Sequence, residues 1–182
     1  MPAPSALATG RAIVEAARER RVGAPVYLRY AAEIAPTEDI VEAAAAAVEY
    51  AAQVLGPALD VYAVAAVAVG TAATGRDAGP DGDRPGQPAH LALTVRHRDG
   101  SVALLGIGRR PIDAKPVSPS VLLVGDTGVV EGCHPPTLPG TPAAHADPTL
   151  GGTSSPQASA NGAAAIRRSL RSGRPAPIQR DG

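Results

Sequence analysis

The chain has 182 residues and a mass of 18.2 kDa, and its 17 basic and 17 acidic side chains cancel. A neutral chain without Phe or Trp lacks both the positive field and the aromatic platforms of a general nucleic-acid binder. Its single cysteine, Cys133, excludes an internal disulfide framework and a multi-cysteine zinc site. The longest apolar run, 61–74, is too short to span a bilayer, and no basic segment precedes an apolar stretch at the start. A cytoplasmic protein with no membrane or nucleic-acid partner is therefore expected.

In chain order, residues 5–21 read as a helix, with Ser5 as cap and Gly23 closing it in a left-handed conformation. Residues 24–34, with Val26, Tyr27, Leu28 and Tyr30, read as a strand ended by Pro36. Thr37 is expected to cap a second helix that reaches Leu55 and stops at Gly56-Pro57, with Glu38 and Asp39 in its first turn. Val41, Ala44, Val48, Ala52 and Leu55 make its predicted buried stripe, and Glu42, Ala46, Glu49 and Gln53 its polar face.

Residues 59–69 are apolar at odd and even positions alike, which fits a strand covered on both faces. An alanine-rich helix is the rival, but valines at 61, 64, 67 and 69 favour the strand. Residues 71–88 form an irregular loop. Strands at 89–97 and 101–108 flank Arg98-Asp99-Gly100, a hairpin signal, and 121–124 and 129–131 flank a second turn, Gly125-Asp126-Thr127-Gly128. The stretch 133–160, with six prolines, reads as irregular. A short helix at 162–170, capped by Asn161 and closed by Gly173, precedes a tail at 174–182.

This order predicts a single α+β domain over 1–182. Its mostly antiparallel open sheet carries helices on one face and leaves the second face available for oligomerisation. The apolar second face of 59–69 motivates a sheet-to-sheet homo-oligomer.

No chemical motif stands out. Gly106-Ile107-Gly108 follows a strand, but the third glycine of a dinucleotide fingerprint falls on Pro111 and no helix follows. Asp77, Asp81 and Asp83 lack the closing Glu and spacing of a calcium loop. His90 and His97 are seven apart on one strand and point to opposite faces. Cys133, His134 and His145 lie where nothing fixes their geometry. Glu42 and Glu49 are paired carboxylates of the kind used for acid–base work, although solvated helix glutamates are far commoner. Arg167, Arg168, Arg171 and Arg174 suit a helix C-terminus as well as an anion. No catalytic, cofactor or metal residue is assigned.

Three stretches together resemble one family: RVGAPVYLR at 21–29, VGDTGVVE at 124–131, and AIRRSLRSGRPAPI at 165–178. With Val54-Leu55-Gly56 and the Arg98-Asp99-Gly100 turn between them, the pattern is similar to the C-terminal domain of the Gfo/Idh/MocA oxidoreductases over about residues 6–181. The resemblance implies an α+β sandwich whose sheet face commonly makes the oligomer contact and whose helix side faces cofactor and substrate. The family's Rossmann domain and catalytic lysine have no counterpart here. The resemblance places the family's helix His position on Ala46 and its Asp position on Glu42, and Glu49, near another acidic family position, keeps its charge type. The resemblance thus implies a free-standing domain without dehydrogenase activity of its own, an oligomerisation or accessory unit or a remnant of a longer enzyme. The alternatives are a dehydrogenase subunit whose Rossmann domain is a separate chain, which alone would bring NAD(P), and a small-molecule binding module.

Overall fold

The computed structural model describes residues 13–67, 88–115, 117–133 and 156–179. Helix α1 is described over 13–18 and ends in a turn closed at Gly23, whose φ of 77° is left-handed as predicted. β1 (Pro25–Ile34) leads into α2 (Ile40–Leu55) and β2 (Ala58–Val67). Two hairpins follow: β3 (Pro88–His97) with β4 (Val102–Arg109), and β5 (Ser120–Gly125) with β6 (Val129–Cys133). Helix α3 (Pro156–Ser172) and a two-residue strand, β7 (Ala176–Pro177), complete the chain.

The strands form one seven-stranded sheet in the order β6-β5-β1-β4-β3-β2-β7. Every neighbouring pair is antiparallel except β1 and β4. Since β4 opposes β3 and β3 opposes β2, β2 runs parallel to β1 with two strands between them. Helix α2 is therefore a crossover, and the β3–β4 hairpin fills the gap beneath it, a split β-α-β unit. The mostly antiparallel α+β architecture is as expected, with this one parallel pair added.

Helix α2 starts later than predicted. Asp39, not Thr37, is its cap, because the Asp39 Oδ1 accepts from the backbone N–H of Val41 at 2.8 Å. The buried stripe is also turned relative to the prediction. Ile40, Ala43, Ala44, Ala47, Val48, Ala51, Val54 and Leu55 are buried, while Val41 and Ala52 lie at its margin. The helix spans several strands, so a wide apolar face is needed rather than a narrow seam. Alanines predominate in it, and the backbone can approach the sheet closely.

Against α2 lie the inward residues of the sheet: Leu28, Tyr30 and Ile34 of β1, Ala103, Leu105 and Ile107 of β4, Leu91, Leu93 and Val95 of β3. Helix α3 packs beside α2 on the same face. A Cβ on Gly162 would stand 3.6 Å from that of Ala45, so the two helices meet through their smallest side chains. Helix α3 begins at Pro156, six residues before the predicted start, and Asn161 lies inside it rather than capping it. Gly173 closes it as expected, its N–H donating to Ser169 O at 2.8 Å with φ at 64°. Of the predicted loop at 71–88, all but Pro88, which begins β3, lies outside the described residues, as does most of 133–160. Among the described residues no helix is long and apolar enough to cross a membrane.

The two N-proximal stretches singled out in the sequence interlock. Asp126 accepts from Ala24 N through its Oδ1 at 2.8 Å, its own N–H donates to Ala24 O, and Thr127 N donates to Val22 O. Gly23 makes room for this carboxylate: a Cβ there would fall 1.7 Å from the Asp126 Oδ1. Gly125 passes so close to Val22 that a Cβ would fall 2.0 Å from the Val22 carbonyl oxygen. Gly100 also has a left-handed φ, 89°, but faces open space. Gly100→Ala should therefore cost only the left-handed strain, about 1–2 kcal/mol. Gly23→Ala should cost that strain plus at least the broken Asp126 bond, about 1 kcal/mol more. Urea unfolding of the two variants checks this, and equal losses would remove the interlock.

Candidate functional site

The period-two pattern of the strands puts alternate residues on the sheet face away from α2 and α3, and the register aligns them in rows. One row runs Glu131, Leu122, Arg29, Leu104, Thr94, Tyr62 from β6 to β2. A second runs Val129, Val124, Tyr27, Val102, Arg96, Asp60. Leu104 is 41% exposed, Tyr62 39%, Val64 48% and Val129 59%. Large apolar side chains thus project from a surface that nothing in the chain's described residues covers.

The next rows change character. Ala31, Gly106 and Ala92 are aligned across β1, β4 and β3, followed by Glu33, Gly108 and His90. The face therefore has a bulky half and a small-residue half. Its charges are Glu131, Arg29 and Glu33, each exposed, and the pair Arg96 and Asp60. Arg29 stands in the bulky half, and Arg96 is held by Asp60 through a two-pronged ion pair, which raises the Arg96 pKa.

The residues read from the sequence as chemical candidates do not converge. Gly106 and Gly108 are strand glycines beneath the imidazole of His90. A Cβ on Gly108 would lie 3.4 Å from its Cδ2 and one on Gly106 3.7 Å from its Nε2, so their bareness seats a ring rather than a phosphate. His90 is exposed on this face while His97 is buried on the other, as their spacing predicts. Asp77, Asp81, Asp83, His134 and His145 lie outside the described residues. Cys133 ends β6. Among the described residues no group of three His, Cys, Asp or Glu side chains is placed to hold a metal ion.

On the helix side, Glu42 pairs with Arg167 of α3 at 2.9 Å, both about half exposed. Glu49 is two turns on, about 10 Å along the axis, and half-buried. Arg168 donates to Pro177 O at 2.9 Å and so ties α3 to β7. The basic cluster is thus partly structural. Among the described residues, the place where a strand, a turn and a helix could cradle a pyrophosphate is the β1–α2 connection. There Asp39 fills the helix N-terminus, Glu42 adds negative charge in the first turn, and no glycine opens the turn. These residues do not fit a nicotinamide dinucleotide.

The sequence reading missed the buried polar roles of Ser169 and of the Tyr30–Tyr50 pair, and placed His97 on a face without its partner. Ser169 is fully buried and accepts from Ala63 N at 2.9 Å, covering β2 where β7 stops short. Tyr30 and Tyr50 pack with ring centroids 5.8 Å apart, and burial pushes both hydroxyl pKa values up. His97 sits at the foot of α2, its pKa lowered by burial. Each is an isolated polar residue in an apolar period, so the only signal in the sequence was an interruption of the pattern.

No family model matches the chain, and no curated protein matches it. Solved structures do. A protein of Sinorhizobium meliloti 1021 assigned as a myo-inositol dehydrogenase matches with a TM-score of 0.64 at 14% identity, over 94% of this chain and 62% of its own. A myo-inositol dehydrogenase from Corynebacterium glutamicum ATCC 13032 gives 0.62 at 13% identity, over 95% and 62%. GenD2 from gentamicin A biosynthesis, solved with NAD, gives 0.62 at 15% identity, over 96% and 62%. The chain therefore shares the fold of Gfo/Idh/MocA-type dehydrogenases and spans about three-fifths of the length of these neighbours. The resemblance read from the three sequence stretches is supported at the level of the fold.

Ser169→Ala would leave the Ala63 N–H buried without an acceptor. A loss of about 1–3 kcal/mol in unfolding free energy is expected. Arg167→Ala, which removes a half-exposed ion pair, should cost less than about 1 kcal/mol. Denaturant midpoints of the two variants provide the comparison.

Proposed function

We propose that these 182 residues act as the sheet-bearing, self-associating domain of a Gfo/Idh/MocA-type dehydrogenase and do not transfer hydride on their own. The observation that carries this reading is the uncovered apolar sheet face. Exposed apolar surface of this kind, with Leu104, Tyr62, Val64 and Val129 uncovered, marks a contact surface. A second copy suits it, because a two-fold axis sets the same patch against itself. Placed across such an axis, the bulky half with Leu104, Tyr62 and Leu122 meets the small half with Ala31, Gly106 and Ala92.

Hydride transfer needs a nicotinamide held against its substrate, and the β1–α2 turn is a poor phosphate cradle. When bound, such a cofactor supplies the hydride acceptor. Here it would have to come on a separate nucleotide-binding unit. The NAD-bound neighbour favours this second reading, in which the helix layer faces such a unit and Glu42 or Glu49 lines the cleft between them. An adjacent reading frame encoding a lone Rossmann domain would favour it further.

Sedimentation velocity of the purified chain tests the first reading. A discrete dimer or tetramer is expected at micromolar concentration, with a cooperative thermal melt. Leu104→Arg, in the middle of the uncovered face, should shift the population to monomer and leave the far-ultraviolet dichroism unchanged. A wild-type chain that stays monomeric would overturn the self-association. Titration of the chain alone with NADH should give no saturable heat, and saturable binding would overturn the dependence on a separate nucleotide-binding unit.

A further inference from the structure

His97 is the last residue of β3 and points to the helix side of the sheet. It is 2% exposed. Its Nδ1 lies 2.7 Å from the carbonyl oxygen of Gly56, the residue that ends α2. Around it, Arg98 N donates to Pro57 O at 3.1 Å, and His97 N donates to Ser101 O at 2.9 Å across the hairpin turn. The imidazole thus joins the foot of α2 to the β3–β4 hairpin.

A carbonyl oxygen only accepts, so Nδ1 must carry the proton and Nε2 must be the bare nitrogen. That Nε2 is buried and has no hydrogen-bond partner. A second proton can go nowhere else. It would create a buried imidazolium whose second N–H has no acceptor among the described residues, a costly arrangement.

The neighbouring groups offer little relief. Asp99 on the hairpin turn is the one acid whose charge favours protonation, and its Oδ1 is already committed to the N–H and hydroxyl of Ser101. The last turn of α2 contributes Gln53, Val54 and Leu55, and its nearest titratable residues, Glu49 and Tyr50, are about two turns back. At the start of β2, Asp60 is held by Arg96 on the other face of the sheet. Arg98, the next residue in the chain, is exposed.

We propose that His97 is an acid-released latch. Neutral, it holds the end of α2 against the β3–β4 hairpin; protonated, it must leave the core and open that junction. Burial lowers its pKa in the folded state, so the unfolded or opened chain binds the extra proton more readily. The stabilisation is then complete above the unfolded value near 6.5 and is lost as pH falls below it. An exposed histidine in its ordinary range would confer no such dependence.

The test combines two measurements on the full chain. Urea unfolding between pH 7.5 and 5 is compared for wild type, His97→Asn and, as control, His90→Asn. Asparagine keeps a donor near the Nδ1 position and cannot titrate. Below pH 6.5 the wild-type and His90→Asn folding constants should fall by up to about tenfold per pH unit more than that of His97→Asn. Parallel pH profiles for all three would overturn the proposal. Nitrogen-15 resonances of the His97 ring give an independent answer if His97→Asn fails to fold. A neutral Nδ1–H tautomer with a midpoint below 6.5 supports the latch, and a midpoint at or above 6.5 overturns it.

Discussion

The structure depends on how closely α2 can lie on the sheet. The helix joins two parallel strands that are not neighbours, so it must cross two others, and the hairpin beneath it has to fit in the space it leaves. With no Phe or Trp, the layer between helix and strands is built from Ala43, Ala44, Ala47 and Ala51 against Leu91, Leu93, Leu105 and Ile107. Small side chains on the helix make the approach close, and the branched chains on the strands fill what remains. The same economy recurs between α2 and α3, where Gly162 meets Ala45. A core of this kind gains little area per residue, and so it depends on its joints being well made.

Those joints are where the recognisable sequence stretches lie. The turn at 21–24 and the turn at 125–128 close on each other through Asp126, Gly23 and Gly125. The stretch from 165 to 178 places Ser169 on Ala63, Arg168 on Pro177 and Ala176 opposite Val61, which closes the β2 edge of the sheet. Leu55-Gly56-Pro57 and Arg98-Asp99-Gly100 meet through His97. Each stretch is thus accounted for by backbone hydrogen bonds and close approaches. A likeness carried by these motifs speaks to architecture, and the solved structures that share the fold agree with it at that level.

Chemistry and contact surface then separate onto the two faces of the sheet. On the helix side the charged side chains described tie elements together: Glu42 to Arg167, Arg109 to the carbonyls of Pro36 and Glu38 before α2, Arg168 to β7. The opposite face sets the exposed Leu104, Tyr62, Val64 and Val129 among Arg29, Glu33, Glu131 and the Arg96–Asp60 pair.

Much of this architecture was legible in the chain itself. Period-two alternation, Gly-bearing turns and the apolar run at 59–69 marked the β1–β6 strands and both hairpins, because these signals are local. Helix ends were legible where glycine closes them, at Gly23, Gly56 and Gly173, since a left-handed residue announces itself. The cap of α2 and the start of α3 were misplaced, because Thr37 and Asp39 are both good caps and Asn161 tolerates a helix interior. The candidate site was less legible: the residues that looked chemical, Glu42, Glu49, Gly106 and Gly108, turned out to be dispersed or structural. Only the tertiary structure decided the strand order, the parallel pairing of β1 with β4, and the burial of His97 and Ser169. Those depend on which residues far apart in sequence are brought together, and no local pattern carries that distance.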